Sequence, residues 1–474
     1  MAQPTPEKVD RKARSQLTPV PAKTRPPDER VRDFREILIL HTPAEARAEA
    51  SRCLQCANAP CQQACPLHND IPQALGLLAE GDFAGAAAVY RQTNPLPEVC
   101  GRVCPERFCQ DACTLKRLGR PLDTRRLEAF VSTYARETAG VPLPEIAPAT
   151  GMRVAVVGAG PAGLTVAETL TRLGHRAVVF EQYPAPGGMM LYGIPRFKLG
   201  AEIVQAKIAW LQALGIEIRC HVTVGRDVTL PQLLAEYDAV FLGTGAQEQY
   251  RADLPGETLA GIYDATQFLC RANLPPEILP EAWQAPLDVG PRVHVIGGGN
   301  TAIDCMRTAA RLPGVREVTC YYRRSMQEMP AEPEEYRHAL EEWGNFVWLA
   351  CPVEFLGDEA GRLRAITYQR MKLGDPDESG RCRPECVPGL EITLEVNTAV
   401  LALGYRPAKQ PLAGLTELRL GRGGVIEVDA PETGRTSVPR LFAAGDVVHG
   451  AHLLAPAVAD ALSVARAMDA FLRA

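Results

Sequence analysis

No apolar run in the 474-residue sequence approaches the roughly 20 residues that would span a bilayer, and the start MAQPTPEKVDRKARSQ lacks the apolar core of a secretory signal. Both absences point to the cytoplasm and away from membranes. A dominant charge is also missing, since the net value is only −5. Residues 1–35 carry nine Lys or Arg against five Asp or Glu, but the signs alternate and six prolines interrupt them. That pattern suits a solvated or partner-wrapping arm and argues against a nucleic-acid-binding stripe. No Ser/His/Asp constellation is assigned, and the eight histidines, His68 and His294 among them, read as surface or packing residues. What the chain does have is cysteine: fifteen, of which eight fall between Cys53 and Cys113. A disulfide framework belongs to small secreted chains, so metal or cluster ligation is the better reading.

The length and the 46% hydrophobic content suit two or three domains. Thr42-Pro43-Ala44-Glu45 has the pattern of a capped helix start, and Ile71–Glu80 and Phe83–Gln92 have helical apolar spacing, so the cysteine region is expected to be short helices and loops without a strand. Val141–Pro148 is a Pro-rich linker out of it. Beyond Met152, apolar β-rich runs (Arg153–Val157, Ala177–Phe180, Ala239–Leu242, Val293–Ile296, Val318–Tyr322, Ala399–Leu403) alternate with helical patterns, as in α/β units on largely parallel sheets. The Pro-rich Leu274–Pro291 and the return at Gly404–Pro407 predict a second unit inserted into the first. The expected partition is an arm and helical region over 1–145, one α/β unit over 146–285 plus 405–474, and the inserted unit over 286–404.

Each α/β unit opens with a glycine-rich turn. In the first, Gly158 permits the turn, Gly160 lets backbone approach a pyrophosphate and Gly163 allows close helix packing, with Pro161 and Ala162 between them. The next strand ends at Glu181, placed to accept both hydroxyls of an adenosine ribose. In the second, Gly297, Gly299, Asn300 and Thr301 are followed by Ala302 in place of the third glycine. Its next strand ends in Arg323-Arg324, which favours the 2′-phosphate of NADPH over NADH. Gly445-Asp446, after the strand-like Leu441–Ala444, resembles the second FAD fingerprint of two-dinucleotide-binding flavoproteins, whose Asp binds the ribityl chain; it completes a set with Glu181 and Gly243-Thr244-Gly245. The segment Gly187–Pro195, with Gly188, holds no redox cysteine pair, so electrons must leave the flavin by another route.

The N-terminal spacing supplies one: Cys53-x2-Cys56-x4-Cys61-x3-Cys65-Pro66, then Cys100-x3-Cys104-Pro105-x3-Cys109-x3-Cys113. Eight thiolates suit two four-iron clusters, and the alternative of two zinc sites, each held by four cysteines, stands beside that reading. NADPH delivers two electrons as a hydride, flavin can release them singly, and each cluster carries one.

These residues resemble the small (beta) subunit family of NADPH-dependent bacterial glutamate synthase, through Arg52-Cys53-Leu54-x-Cys56, Cys65-Pro66-x-His68-Asn69, Gln92–Pro105, Tyr192–Leu199 with Phe197-Lys198, Gly225–Val228 and Ala444-Gly445-Asp446. The cysteine array is shared with the N-terminal half of dihydropyrimidine dehydrogenase. The resemblance implies an α/β two-dinucleotide-binding-domain flavoprotein, an FAD domain with a Rossmann-like NADPH domain inserted, preceded by an α-helical iron–sulfur domain. It also implies FAD, two 4Fe-4S clusters, NADPH as substrate, and a large FMN-containing iron–sulfur partner subunit that makes glutamate from 2-oxoglutarate and glutamine. By similarity to dihydropyrimidine dehydrogenase, one cluster would use Cys53, Cys56, Cys61 and Cys113. The other would use Cys65, Cys104 and Cys109, with Glu128 or Cys100 as its last ligand. One departure stands out: Met329-Pro330-Ala331-Glu332 lacks an arginine that relatives carry near the nicotinamide site. The alternatives are an NAD(P)H-oxidising subunit of a dihydropyrimidine dehydrogenase-like or electron-bifurcating complex, and a zinc-stabilised FAD-binding interaction protein.

Overall fold

The structure, a computed structural model describing residues 9–378 and 380–474, gathers Arg153–Val157, Arg176–Phe180 and Ala239–Leu242 into a five-stranded parallel sheet completed by Leu441–Ala443 at one edge and Glu217–Arg219 at the other. Its strands are buried on both faces, as continuous apolar runs require in a parallel sheet. Val154 and Val156 face a core shared with the helices Pro161–Arg172 and Leu454–Leu472, while Ala155 and Val157 face a second core containing Leu230 and Leu233. A second parallel sheet has the order Asn345–Trp348, Glu317–Tyr322, Arg292–Ile296, Thr398–Leu401, Ile262–Asp264.

That last strand corrects the expected partition at 285/286. Ile262–Asp264 pairs in parallel with Thr398–Leu401, so the chain has entered the second unit before the Pro-rich stretch. The outgoing strand Glu248–Gln249 pairs antiparallel with the returning Tyr405–Arg406. The first part of Leu274–Pro291 packs back on the first unit, where Leu279 joins the core and Ile278 O accepts a hydrogen bond from Tyr192 Oη at 2.8 Å, and its last part packs on the second, where Gly290 N donates to Thr398 Oγ1 at 3.1 Å. A three-residue strand gives too short a pattern to be read from sequence. The three-stranded antiparallel sheet Ala350–Gly357, Leu363–Pro376, Cys382–Glu395 was also not expected. Pro384, Pro388 and Gly389 speak against a strand, and Cys382–Glu395 tolerates them because it lies at the sheet edge.

Between Cys53 and Cys113 the described residues form helices and turns only. The helix Pro43–Ala50 starts with the capping box of Thr42 and Glu45. Helices Pro97–Val103 and Thr124–Thr138 pack closely enough that a Cβ on Gly101 would stand 2.4 Å from Ala129 N. No helix among the described residues is long and apolar enough to cross a membrane.

The arm, expected to be solvated or to wrap a partner, packs in part on the rest of the chain. Its described residues wrap their own chain: Ile37 N donates to Phe197 O at 2.9 Å, and Arg30, 1% exposed, meets Glu341 at 2.7 Å and Glu342 at 2.6 Å in the inserted unit. Glu342 also receives Arg307 at 3.0 Å and Arg311 at 2.6 Å. Burial alone would raise this carboxyl, but the Arg307 and Arg311 charges overcome it and hold it well below the usual range. Arg30 is therefore a partner for residues some 300 positions away, which no local pattern discloses, while Arg25 and Arg35 pair locally with Asp33. Removing one partner from a buried charge network leaves the rest uncompensated, so Arg30→Ala should lower stability by about 3 kcal/mol. Arg35→Ala, at a side chain 77% exposed, should cost no more than about 0.5 kcal/mol. Denaturant midpoints of the two variants check the contrast.

Candidate functional site

At the end of Arg153–Val157 the chain turns through Gly158, φ +100°, and Gly160 caps the helix Pro161–Arg172. The two following glycines differ in what they face. A Cβ on Gly163 would stand 1.9 Å from Gly158 O, whereas one on Gly160 would meet nothing nearer than Gly188 Cα at 3.9 Å. Gly163 is thus needed for packing, and Gly160 keeps backbone open toward the cleft at a helix N-terminus, the geometry that receives a pyrophosphate. Glu181 is 4% exposed; its Oε2 accepts from Ala159 N at 2.8 Å and its Oε1 from Tyr183 N at 2.9 Å. Burial raises its carboxyl, opposed by these backbone donors.

Gly158, Gly160, Pro161, Ala162, Glu181, Gly188, Gly245 and Asp446 line one cleft. Burial pushes Asp446 up to about 6. Gly445, φ +76°, stands behind that wall with its N–H donated to Asp460 Oδ2 at 2.7 Å. The same cleft is closed on its other side by Asn300 and Thr301 of the inserted unit, and Val103 of the cysteine-bearing helix also lines it. The cleft thus touches all three parts of the chain.

In the second turn Gly299 caps the helix Asn300–Ala310 with open space where its Cβ would be, Gly297 sits against Ala402 O, and Ala302 is fully buried. The arginine pair after Glu317–Tyr322 is split. Arg323 is exposed, but Arg324 is turned into the antiparallel sheet, with Nε donating to Cys382 O at 2.8 Å and Nη2 meeting Asp377 at 2.7 Å. Of the two arginines expected to clamp a phosphate, Arg324 is thus engaged by a sheet that the residue pattern does not disclose, and Arg323 is left exposed. Glu332, where the missing arginine was noted, meets Arg107 of the helical region at 3.0 Å.

The cysteines gather in two sets. Cys53, Cys56, Cys61 and Cys113 line one small cavity with Ile71, Leu75 and Leu115. Burial pushes Cys53 up to about 11 and Cys61 up to about 12, the neighbouring thiols adding to it. In the second set the buried Glu128 lies among Cys65, Cys104 and Cys109, adding to the raised value of all three. Glu128 Oε1 accepts from Asn94 Nδ2 at 2.8 Å and Asn69 Nδ2 at 3.2 Å, and burial, against those two donors, pushes the carboxyl up to about 8. Cys100 joins the edge of this set: it hydrogen-bonds Cys104, whose thiol that bond raises first and burial next, and its Sγ lies 3.7 Å from Asn94 Oδ1. Among the described residues no three His, Cys, Asp or Glu are set to hold a single metal ion.

Lys198 was quoted in the sequence but not assigned to the site. It lines the cleft, and its Nζ meets Asp304 and Glu335 of the inserted unit, each at 3.0 Å. Burial pushes Asp304 up to about 6 against the Lys198 charge. At Glu335 the Lys198 and Arg307 charges overcome burial and hold the carboxyl down at about 2. The bridge joins residues 106 positions apart, so only the Phe197-Lys198 motif hinted at it.

Two dinucleotide-type turns facing one cleft, with a cysteine-rich helical region on its wall, define a pyridine-nucleotide oxidoreductase coupled to an iron–sulfur domain. Residues 152–461 match the family of pyridine nucleotide-disulphide oxidoreductases, and residues 30–140 match dihydropyrimidine dehydrogenase domain II, 4Fe-4S cluster. The fold is similar to that of FprA from Mycobacterium tuberculosis in complex with NADPH, at TM-score 0.57 and 22% identity over 68% of this chain and 84% of that one. The chain is 40% identical over 443 residues to the glutamate synthase (NADPH) small chain of Halomonas elongata, covering 92% of each. It is also 39% identical over 449 residues to the putative oxidoreductase UacF of Escherichia coli, covering 93% of this chain and 70% of that one. The chain belongs to the family of glutamate synthase (NADPH) small chains.

The two glycines make separable predictions. Gly163→Ala should lower the thermal midpoint, a cost of about 1–3 kcal/mol for forcing the turn apart. Gly160→Ala should leave the midpoint of flavin-free protein nearly unchanged and reduce the flavin retained after purification. Equal effects in both measurements would contradict the difference in what the two positions face.

Proposed function

We propose that this protein is the NADPH-oxidising electron-input subunit of a glutamate synthase, with FAD in the shared cleft and two 4Fe-4S clusters in the helical region. FAD, when bound, takes electrons in a pair and gives them up singly, and each cluster carries one. Gly160, Pro161 and Ala162 at the helix N-terminus hold the pyrophosphate, Glu181 the adenosine ribose, and Asp446 with Gly188 and Gly245 the remainder of the flavin nucleotide. Gly297, Gly299, Asn300 and Thr301 hold the second nucleotide, and Arg323 meets its 2′-phosphate. Cys53, Cys56, Cys61 and Cys113 take one cluster. Cys65, Cys104, Cys109 and Glu128 take the other, since Glu128 is the buried group that faces all three thiols, whereas Cys100 is paired with Cys104 and Asn94.

The observation that carries this reading is the single cleft lined by Glu181 and Asp446, by Asn300 and Thr301, and by Val103, one residue before Cys104. The reaction as a whole belongs to a large FMN-containing subunit that turns 2-oxoglutarate and glutamine into glutamate. The comparable identity to UacF favours a second reading, the same input chemistry serving another acceptor. Co-purification from the native cell separates the two: a large amidotransferase subunit should accompany the chain, and its absence beside some other redox subunit would favour the second.

Arg323→Ala should raise the Michaelis constant for NADPH about tenfold, the loss of one exposed phosphate contact of about 1.4 kcal/mol, with little change for NADH. Equal effects on both coenzymes would reject the 2′-phosphate role. Glu128→Ala should cut iron from about eight to about four atoms per chain, with Cys100→Ser retaining it. The reverse result would give the last ligand to Cys100, and stoichiometric zinc with little iron in the parent protein would reject both clusters.

A further inference from the structure

The helix Arg11–Gln16 lies across the loop that carries the first cysteine set. Arg14 Nη1 donates to Cys53 O at 2.8 Å, and Arg11 donates to Leu54 O at 3.1 Å and Gln55 O at 3.0 Å. Arg120 Nη2 donates to Ser15 O at 2.7 Å, which ties this helix to the turn Thr114–Leu118 that follows Cys113. At this junction Arg11, Lys12, Arg14, Arg117 and Arg120 have no ion-pair partner among the described residues. In a chain of net charge −5 that is a local reversal of sign. Two large apolar side chains on the same two segments are turned to solvent, Leu17 at 43% and Leu118 at 55% exposure. Of the cysteines beneath, Cys56, Cys61 and Cys113 are half-buried and Cys53 is buried.

We propose that this face docks an acidic electron-acceptor protein, its carboxylates meeting the five cations and its apolar centre meeting Leu17 and Leu118. The inference rests on reading Cys53, Cys56, Cys61 and Cys113 as a cluster site. Exposed apolar groups beside an excess of one charge are what a transient protein interface needs, the charge steering encounter and the apolar groups holding register. Nucleic acid fits less well, because a phosphate backbone offers no apolar surface to the exposed Leu17 and Leu118. Each NADPH oxidised serves two such encounters, one electron leaving in each, and docking itself forms no bond.

The test uses the cofactor-loaded chain with Lys12→Glu and Arg117→Glu combined. Both side chains are exposed, and neither donates to the cysteine loop. The probe is an acidic plant-type 2Fe–2S ferredoxin, titrated in its oxidised form. Its dissociation constant at low salt should rise about tenfold in the variant, the scale on which steering charges act. High salt should erase the difference by screening. Iron content and NADPH-driven reduction of menadione, an uncharged acceptor, should match the parent. A control pair on other units, Lys409→Glu with Arg466→Glu, should leave the constant unchanged. An unchanged constant in the first variant, an equal change in the control, or a loss seen only in binding to phosphatidylserine vesicles would overturn the proposal. Absence of iron in the parent would overturn the cluster reading instead, while the binding constant would still decide whether the face is a docking surface.

Discussion

The arrangement depends on one packing contact, between the helices Pro97–Val103 and Thr124–Thr138. They meet through Gly101, where any side chain would press on the Ala129 backbone. This approach sets Cys100 and Cys104 beside Glu128. The same helix turns its other side to the first sheet, so that Val99 and Cys100 share an apolar core with Val154, Phe241 and Val458. Burial of this extent is the dominant favourable term in folding, and here it also fixes a cysteine set against the wall of the nucleotide cleft.

Charged side chains bind the remaining parts to that centre. Arg125 donates to Cys104 O at 3.0 Å and meets Glu334 of the inserted unit at 2.6 Å. Lys198 reaches the same unit from the flavin side, and Arg30 reaches it from the arm. A buried ion pair contributes little net stability, but breaking one is costly. These bridges therefore specify how the units sit and resist their separation. The three bridges converge on one helix of the inserted unit, Pro333–Glu341, at Glu334, Glu335 and Glu341, and on Glu342 just after it.

Much of this was legible in the sequence where the signal was local. The capping box at Thr42, the helix Ile71–Glu80 and the three central strands of each parallel sheet follow from residue pattern, because cap chemistry and two-face burial leave marks within a few positions. The glycine turns were legible because their backbone demands few alternatives. What escaped was non-local or short. Ile262–Asp264 is a strand through its pairing with Thr398–Leu401. Arg324 was read with Arg323 because adjacent residues look equivalent in sequence, yet successive side chains leave an extended chain in opposite directions. That the arm wraps its own chain is not legible because the partners of Arg30 lie more than 300 residues away.

Glu128 shows what the two levels contribute together. Family resemblance alone offered it and Cys100 as rivals for one place. Glu128 adds to the raised values of Cys65, Cys104 and Cys109, while Cys100 hydrogen-bonds Cys104 and lies 3.7 Å from Asn94 Oδ1, and on that contrast we propose Glu128 for the last place. On the proposed function the cleft feeds the cysteine sets, with the flavin between them and the nicotinamide. Anaerobic stopped-flow mixing of the holoenzyme with NADPH tests this directly, by following flavin and iron–sulfur absorbance separately. The flavin band should bleach first, and the iron–sulfur band should follow at a rate independent of NADPH concentration. Iron–sulfur absorbance that stays oxidised while the flavin is fully reduced would contradict it.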